Sequence, residues 1–143
     1  MNVLSIIIVN YKSWEPLSKC LDSIQNQKNI NLEVIVLDNN SNDNKIDEYK
    51  SKYTYINWIE NLDNYGFSRA CNIGALNAKG KWLLFLNPDT EIPKNCFEKL
   101  LEKTKNIDST IFSIKQLNEK NKDTHAYGIF LNLYSINGTL RFL

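Results

Sequence analysis

Two apolar runs near the N-terminus have the pattern of buried strands. Residues 3–9 read VLSIIIV and residues 32–37 read LEVIVL, and both are rich in β-branched side chains. Between the two runs, apolar residues recur at helical spacing at Trp14, Leu17, Leu21 and Ile24. The pattern predicts a strand, a helix and a second strand. Near-continuous apolar strands of this kind are typical of a parallel sheet that is covered by helices on both faces.

The same alternation continues along the chain after a polar loop at residues 39–44. The further predicted elements are a short helix ending near residue 53, a strand at 55–59, a helix at 67–78, a strand at 81–86 and a helix at 93–105. We expect Gly80 to cap the third helix and Pro93 to open the fourth. The inner face of that last helix would carry Phe97, Leu100 and Leu101. The predicted fold class is therefore α/β, with a Rossmann-like, mostly parallel sheet.

The character of the sequence changes after residue 108. The predicted elements there are a strand at 110–117, a polar turn at 118–123 and an apolar segment of undetermined type at 126–136. An Asn-Gly pair at 137–138 is typical of a β-hairpin. Because 143 residues fit one domain, we expect a single domain over residues 1–143. Its βα core would occupy residues 1–108, and residues 109–143 would begin an incomplete second region.

The composition narrows the class of protein. The formal net charge is +1 and the basic residues are spread along the chain, so a nucleic-acid partner is not expected. Cys20, Cys71 and Cys96 form no CxxC pair, which disfavours a disulfide framework and a zinc site and fits a reducing compartment. The N-terminal apolar run is too short for a signal peptide or a membrane-spanning helix. We therefore expect a cytoplasmic location, with the inner face of the membrane as the alternative.

Polar residues follow every predicted strand. They are Asn10 and Tyr11 after the first strand, residues 38–41 after the second, residues 64–66 beyond the third and residues 87–89 after the fourth. The carboxyl ends of parallel strands lie on one edge of a sheet, so these residues should converge on one crevice. This convergence is the main indication of a binding site.

The loops exclude several kinds of site. The first loop, NYKSWEP, has no glycine, which disfavours a dinucleotide-binding dehydrogenase because its pyrophosphate must approach bare backbone. The motifs of P-loop ATPases, zinc proteases and α/β-hydrolases are absent from the sequence. Asp38 leaves two alternatives open. Its carboxylate either accepts hydrogen bonds from a ribose or a base, or it closes a turn or caps a helix.

Taken together, four ordered stretches resemble glycosyltransferase family 2. They are SIIIVNYKSWEPLSKCLDSI, LEVIVLDNNSND, NLDNYGFSRACNIGAL and GKWLLFLNPDTEI, and they cover nearly all of residues 3–93. The resemblance implies the GT-A fold and an inverting transfer from a nucleotide-diphosphate sugar. The NPD form is most similar to the branch of rhamnosyltransferase-like enzymes of surface polysaccharide synthesis.

The resemblance also implies roles for residues that bind the nucleotide sugar. Asn10 and Tyr11 would line the pocket for base and ribose, and Asp38 would bond the pyrimidine or its ribose. The family's loop near the nucleotide and diphosphate corresponds here to Asn64, Gly66, Arg69 and Asn72. Arg69 suits phosphate because a guanidinium matches phosphate oxygens, although an exposed helical position is the alternative.

Asn87 and Asp89 occupy the slot of the family's Asp-x-Asp metal motif, so the resemblance implies Mg²⁺ or Mn²⁺ bound by Asp89. Such ions bridge phosphates while keeping one or two protein carboxylates. Asn87 departs from the motif because an amide oxygen is a weaker, neutral ligand. A Pro-Asp turn that caps the next helix is the alternative for this segment.

The catalytic residues remain unknown from the sequence. An inverting transferase needs a general base for the acceptor hydroxyl, and no family-like acidic motif follows Asp108. His125, the single histidine, is assigned a surface or strand-edge position. One hypothesis is a glycosyltransferase that uses a UDP- or dTDP-sugar and a saccharide or lipid-linked acceptor, with the sequence ending before the acceptor-binding part. The alternative is a non-catalytic nucleotide-sugar-binding module, or one that pairs with itself or a partner through residues 126–136.

Overall fold

A computed structural model of the chain describes residues 4–28, 30–107, 111, 114–118 and 120–124. Strands and helices alternate from Leu4 to Thr104 as the apolar pattern predicts. The elements are β1 (Leu4–Asn10), α1 (Trp14–Gln25), β2 (Leu32–Asp38), α2 (Ile46–Lys52), β3 (Asn57–Glu60), α3 (Phe67–Asn77), β4 (Trp82–Leu86) and α4 (Cys96–Thr104).

The strands form one parallel sheet with the order β3-β2-β1-β4. β1 lies between β2 and β4, with Ile8 opposite Val36 on one side and Leu86 on the other. All carboxyl ends therefore meet at one edge, and the chain reverses its direction of travel across the sheet at β1. The prediction of a Rossmann-like parallel sheet is confirmed, and ligands bind at such reversal points in open α/β sheets.

The two faces of the sheet pack against different helices. Ile6 and Ile8 of β1 join a cluster that includes Leu17 and Leu21 of α1 and Phe97 of α4. The alternate β1 residues, Ile7 and Val9, pack with Ala70 and Cys71 of α3. Because successive side chains of a strand point to opposite faces, this division follows from the β1 sequence itself. The prediction of helices on both faces is confirmed.

Three predictions at the boundaries of elements were wrong. β3 begins at Asn57, two residues later than predicted, because Tyr55 turns its hydroxyl to the carbonyl of Leu21 at 3.2 Å. α4 begins at Cys96 because Asn95 before it is left-handed, with φ of 60°. Pro93 lies in the preceding loop, where its carbonyl oxygen accepts a hydrogen bond from Gln27 Nε2 at 3.0 Å. On the inner face of α4, Phe97 is buried and Leu101 packs against the core.

Gly80 does not cap α3, which was the third error. The helix ends at Asn77, and Ala78 after it has extended dihedral angles. Gly80 has no positive φ and instead lies against β1, where an added Cβ would stand 2.6 Å from the backbone nitrogen of Ser5. A close approach of two backbones, and not a left-handed turn, therefore explains this glycine.

Met1–Lys105 and Asn106–Leu143 form two compact units. In the second unit, Leu117 and Asp123 form an antiparallel bridge around the predicted polar turn, and Asn118 N–H donates to the carbonyl of Lys122 at 2.8 Å. The described residues of the predicted strand at 110–117 show no strand beyond that bridge. His125, the apolar segment at 126–136 and the pair at 137–138 lie outside the described residues.

Candidate functional site

The ends of β1 and β2 are tied together by a buried carboxylate. Asp38 is 6% exposed, and its Oδ1 accepts hydrogen bonds from Asn10 Nδ2 at 3.0 Å and from Ser41 Oγ at 2.5 Å. Its Oδ2 accepts from the backbone N–H of Ser41 at 2.9 Å. The carboxylate thus closes a turn, which is one of the two alternatives that the sequence left open. Contact with a nucleoside stays a prediction for Asp38.

Ser41 is a site residue that the sequence analysis did not single out. Its hydroxyl oxygen accepts the backbone N–H of Lys12 at 2.8 Å, and Lys12 is left-handed, with φ of 54°. Asn10 holds the other side of that turn, because its Oδ1 accepts the N–H of Ser13 at 3.2 Å. Left-handed backbone is unfavourable for lysine, so these bonds hold the first loop in place. Tyr11, in the same loop, is 45% exposed. The signal for Ser41 was its position three residues after Asp38, as in an Asx turn.

A second cluster joins β2 to the loop before α3. Asn39 Nδ2 donates to Asn64 Oδ1 at 2.6 Å, and Asn39 Oδ1 accepts from Asn61 Nδ2 at 3.0 Å and from the N–H of Tyr65 at 3.2 Å. Asn64 Oδ1 also accepts the N–H of Gly66 at 3.0 Å. The prediction had assigned roles to Asn64 and Gly66; it had included Asn39 only among the polar residues 38–41 that follow the second strand, and it had not named Asn61.

The N-terminal half of α3 and the residue before it carry three predicted site residues at the surface. Gly66 precedes the helix with φ of 77°, a left-handed conformation that favours glycine. The guanidinium carbon of Arg69 lies 4.1 Å from the ring centre of Tyr65, as in a cation–π contact. Arg69 and Asn72 are exposed and three positions apart, so they lie on one side of the helix. The positive end of the helix dipole and one cation thus meet here, which suits an anion.

The loop after β4 carries Asn87 and Asp89, both exposed. Two hydrogen bonds connect this loop to α1 and the turn after it. Ser23 Oγ accepts the N–H of Ile92 at 2.9 Å, and Gln27 Nε2 donates to the carbonyl of Pro93. Within the part of the chain that the structure describes, the Asp89 carboxylate makes no hydrogen bond or ion pair. Its oxygens are therefore available to a ligand.

The charge of that loop affects the pKa of Cys20 in α1. Its thiol lies 3.9 Å from the carbonyl oxygen of Asn87. Burial, and then the charges of Asp89 and Glu91, raise the pKa of Cys20 to about 12. The thiol remains protonated near neutral pH, and the negative charge around the loop favours a bound cation.

A cleft of about 250 Å³ opens beside the loop that follows β2. Its lining is rich in carboxylates and amides and comprises Trp14, Asp38, Asn40, Asn42, Asp43, Asn44, Ile46, Asp47, Glu60 and Asn61. Asp38 alone among the predicted site residues is in this lining. Four carboxylates make the cleft unsuitable for a phosphate.

No group of three or more metal-ligating side chains (His, Cys, Asp or Glu) exists among the described residues. The free carboxylate of Asp89 and the neighbouring amide of Asn87 fit an ion that takes its other ligands from phosphate and water, as Mg²⁺ does. They do not fit an ion held by protein ligands alone. Among the same residues, no helix has the length and apolar character needed to cross a membrane.

An open parallel sheet with polar loops gathered at its carboxyl edge is the arrangement of ligand-binding α/β proteins. Residues 5–140 match the family model described as Glycosyl transferase family 2. The chain therefore belongs to glycosyltransferase family 2, as the four sequence stretches indicated.

Curated relatives agree with this assignment. An uncharacterized glycosyltransferase of Haemophilus influenzae is 35% identical over 101 residues, which cover 70% of this chain and 34% of that protein. The poly(ribitol-phosphate) beta-glucosyltransferase of Bacillus spizizenii is 32% identical over 123 residues, covering 80% of this chain and 19% of that protein. The chain thus spans about a third or less of these relatives.

Solved structures share the fold. S. aureus TarS 1-349 in complex with UDP-GlcNAc matches with a TM-score of 0.67 and 22% identity, over 72% of this chain and 31% of that one. The mannosyltransferase PcManGT from Pyrobaculum calidifontis, in complex with GDP-Man and Mn²⁺, matches with a TM-score of 0.57 and 22% identity, over 63% and 28% of the two chains. The predicted GT-A fold is confirmed.

Proposed function

We propose that this chain is the donor-binding part of an inverting glycosyltransferase. The donor is a UDP- or dTDP-linked sugar, and the acceptor is a saccharide or a lipid-linked saccharide in surface polysaccharide synthesis. The observation that carries the proposal is the convergence of the loops after β1, β2 and β4 and the start of α3 on one sheet edge, in a chain of family 2. Cysteine usage supports a cytoplasmic location.

Two groups of residues, which differ in charge, would bind two different parts of the donor. Asn10, Tyr11 and Asp38 serve the base and ribose, because the region around Asp38 is rich in hydrogen-bond acceptors. Arg69 and the start of α3 serve the diphosphate, whose negative charge grows as the sugar leaves. A guanidinium and a helix N-terminus both stabilise such charge. Asn64, Gly66 and Asn72 border this phosphate region.

A divalent cation supplies further compensation for the leaving diphosphate when it is bound. Asp89 would hold it, with the neutral oxygen of Asn87 as a weaker second ligand. The Mn²⁺ in the mannosyltransferase complex supports this choice of ion. The catalytic base is not assigned, and Asp123, a late acid of the described chain, is paired with Lys115 at 3.2 Å.

Thermal melting tests the donor site directly. We expect UDP or dTDP, with Mn²⁺ present, to raise the melting temperature of the chain, and we expect GDP and NAD to raise it less. A ligand that binds only the folded state must have this effect by mass action. Asp89→Ala should remove the contribution of Mn²⁺, whereas Asn77→Ala, a change at an exposed amide at the end of α3, should leave it intact.

The absence of any shift with every nucleotide, from a wild-type chain that melts cooperatively, would contradict the proposal. A shift with NAD alone would favour a dinucleotide enzyme instead. Transfer of a sugar to a saccharide acceptor would exclude the alternative, a non-catalytic nucleotide-sugar-binding module.

A further inference from the structure

The buried side chain of Asn39 has most of its hydrogen-bonding capacity satisfied within the described structure. It is 3% exposed, and it makes the three hydrogen bonds described above, one donated by its Nδ2 and two accepted by its Oδ1. Its partners are all neutral groups of the loop at residues 61–66. A buried amide with both ends satisfied has one favoured orientation, and so do the groups bonded to it.

The bonds of Asn39 extend to the start of α3. Asn64, which accepts from Asn39, also accepts the N–H of Gly66. Tyr65, whose N–H donates to Asn39, carries the guanidinium of Arg69 over its ring. The buried amide of Asn39 therefore fixes the positions of exposed groups that border the phosphate region, namely Asn64 directly and Arg69 through Tyr65.

We propose that Asn39 is a positioning residue of the donor site, which holds Asn64 and, through Tyr65, Arg69 in place for the diphosphate of the nucleotide sugar. The inference rests on the proposed function and deepens it. Asn39 touches no donor atom itself, and its effect on binding passes through the loop.

The isosteric variant Asn39→Asp separates this role from mere support of the fold. Its carboxylate still accepts the hydrogen bonds from Asn61 and from the N–H of Tyr65. It cannot donate, however, and it sets a negative oxygen against Asn64 Oδ1, which lies 2.6 Å from the nitrogen of Asn39. Asn64 must turn away, and the N–H of Gly66 then loses its acceptor.

The experiment measures UDP affinity by calorimetry in the presence of Mn²⁺ for the full chain and its variants. We expect Asn39→Asp to bind UDP about tenfold more weakly, the usual effect of one lost hydrogen bond. Asn64→Ala should show a similar loss, and the double variant should be no weaker than Asn64→Ala alone, because the first residue acts through the second. The matched control is Asn77→Asp, at an exposed amide whose hydrogen bond among the described residues is to the carbonyl of Ile73 at 2.9 Å.

Amide hydrogen exchange without ligand is the second measurement. The amide of Gly66 should exchange about tenfold faster in Asn39→Asp, while the amide of Tyr65, which keeps its acceptor, and amides of β1 keep their protection. Should Asn39→Asp fold poorly, Asn39→Ser places a small uncharged hydroxyl there, and the same loss of UDP affinity is expected.

The outcomes distinguish this inference from the function on which it rests. A wild-type chain that binds no nucleoside diphosphate would overturn the proposed function and the inference with it. A wild-type chain that binds UDP, with Asn39→Asp binding as tightly or with additive losses in the double variant, would overturn the inference alone.

Discussion

The loops after β2 and β4 carry the two predicted carboxylates of the site, and they differ in how the protein uses them. Asp38 is buried and accepts hydrogen bonds from Asn10 and Ser41. Asp89 is exposed and has no hydrogen bond or ion pair among the described residues. The first carboxylate is part of the structure of its loop, whereas the second is available to a ligand. Two acids on the same sheet edge thus have separate tasks.

This difference determines where each substitution should act. Removing a buried acceptor leaves its donors without partners, and the cost of that desolvation falls on the folded state. Removing an exposed and unpaired carboxylate costs the fold almost nothing but deprives a cation of its ligand. A substitution of the buried carboxylate after β2 should therefore mainly lower stability. A substitution of the exposed carboxylate after β4 should mainly weaken donor binding.

The largest effect on stability is expected from Asp38→Ala. Asn10 Nδ2 and the backbone N–H of Ser41 lose their acceptor, so the free energy of unfolding should fall by about 3 kcal/mol. Urea denaturation monitored by tryptophan fluorescence measures it. A loss below about 1 kcal/mol would show that the turn does not depend on the carboxylate.

A smaller loss is expected from Ser41→Ala. The hydroxyl that accepts the N–H of left-handed Lys12 disappears, and the unfolding free energy should fall by about 1.5 kcal/mol. The matched control is Ser51→Ala, since that exposed hydroxyl donates to the carbonyl of Asp47 within its own helix, α2. Equal losses in the two variants would refute the special role of Ser41.

The smallest effect on stability is expected from Asp89→Asn, within about 0.5 kcal/mol of the wild type. The same change should lower the raised pKa of Cys20, because the charge of Asp89 is the second cause of that rise after burial. The carbon chemical shift of the Cys20 Cβ, followed by NMR as the pH rises, should therefore change at lower pH in Asp89→Asn than in the wild type. Cys71 is the internal reference, since burial alone raises its pKa. An unchanged Cys20 titration would contradict the placement of the Asp89 charge.

The thiol of Cys20 also gives stability a defined dependence on pH. Its pKa in the folded chain, about 12, lies above the ordinary value of 9.0. From about pH 9 to pH 12 the unfolded chain releases a proton that the folded chain retains, so this contribution to stability is complete below pH 9 and falls as the pH rises.

Much of the fold could be predicted because it follows from local periodicity. The strands β1, β2 and β4 and the helices α1 and α3 were expected within one or two residues at each end, since their apolar patterns are strong. The predicted positions of Asn10, Asp38 and Asn87 at the carboxyl edge follow from the same patterns. Whether these and the other site residues bind a nucleotide sugar stays a prediction.

The sequence by itself determined the order of elements, the parallel sheet and the family, because side-chain period and ordered motifs are properties of neighbouring residues. Only the tertiary structure decided which polar groups form hydrogen bonds with one another inside the protein. Three contacts join residues far apart in the chain: Asp38 with Asn10, Asn39 with Asn61, and Gly80 with Ser5 of β1. Such pairings depend on how the elements pack, and no local pattern specifies them.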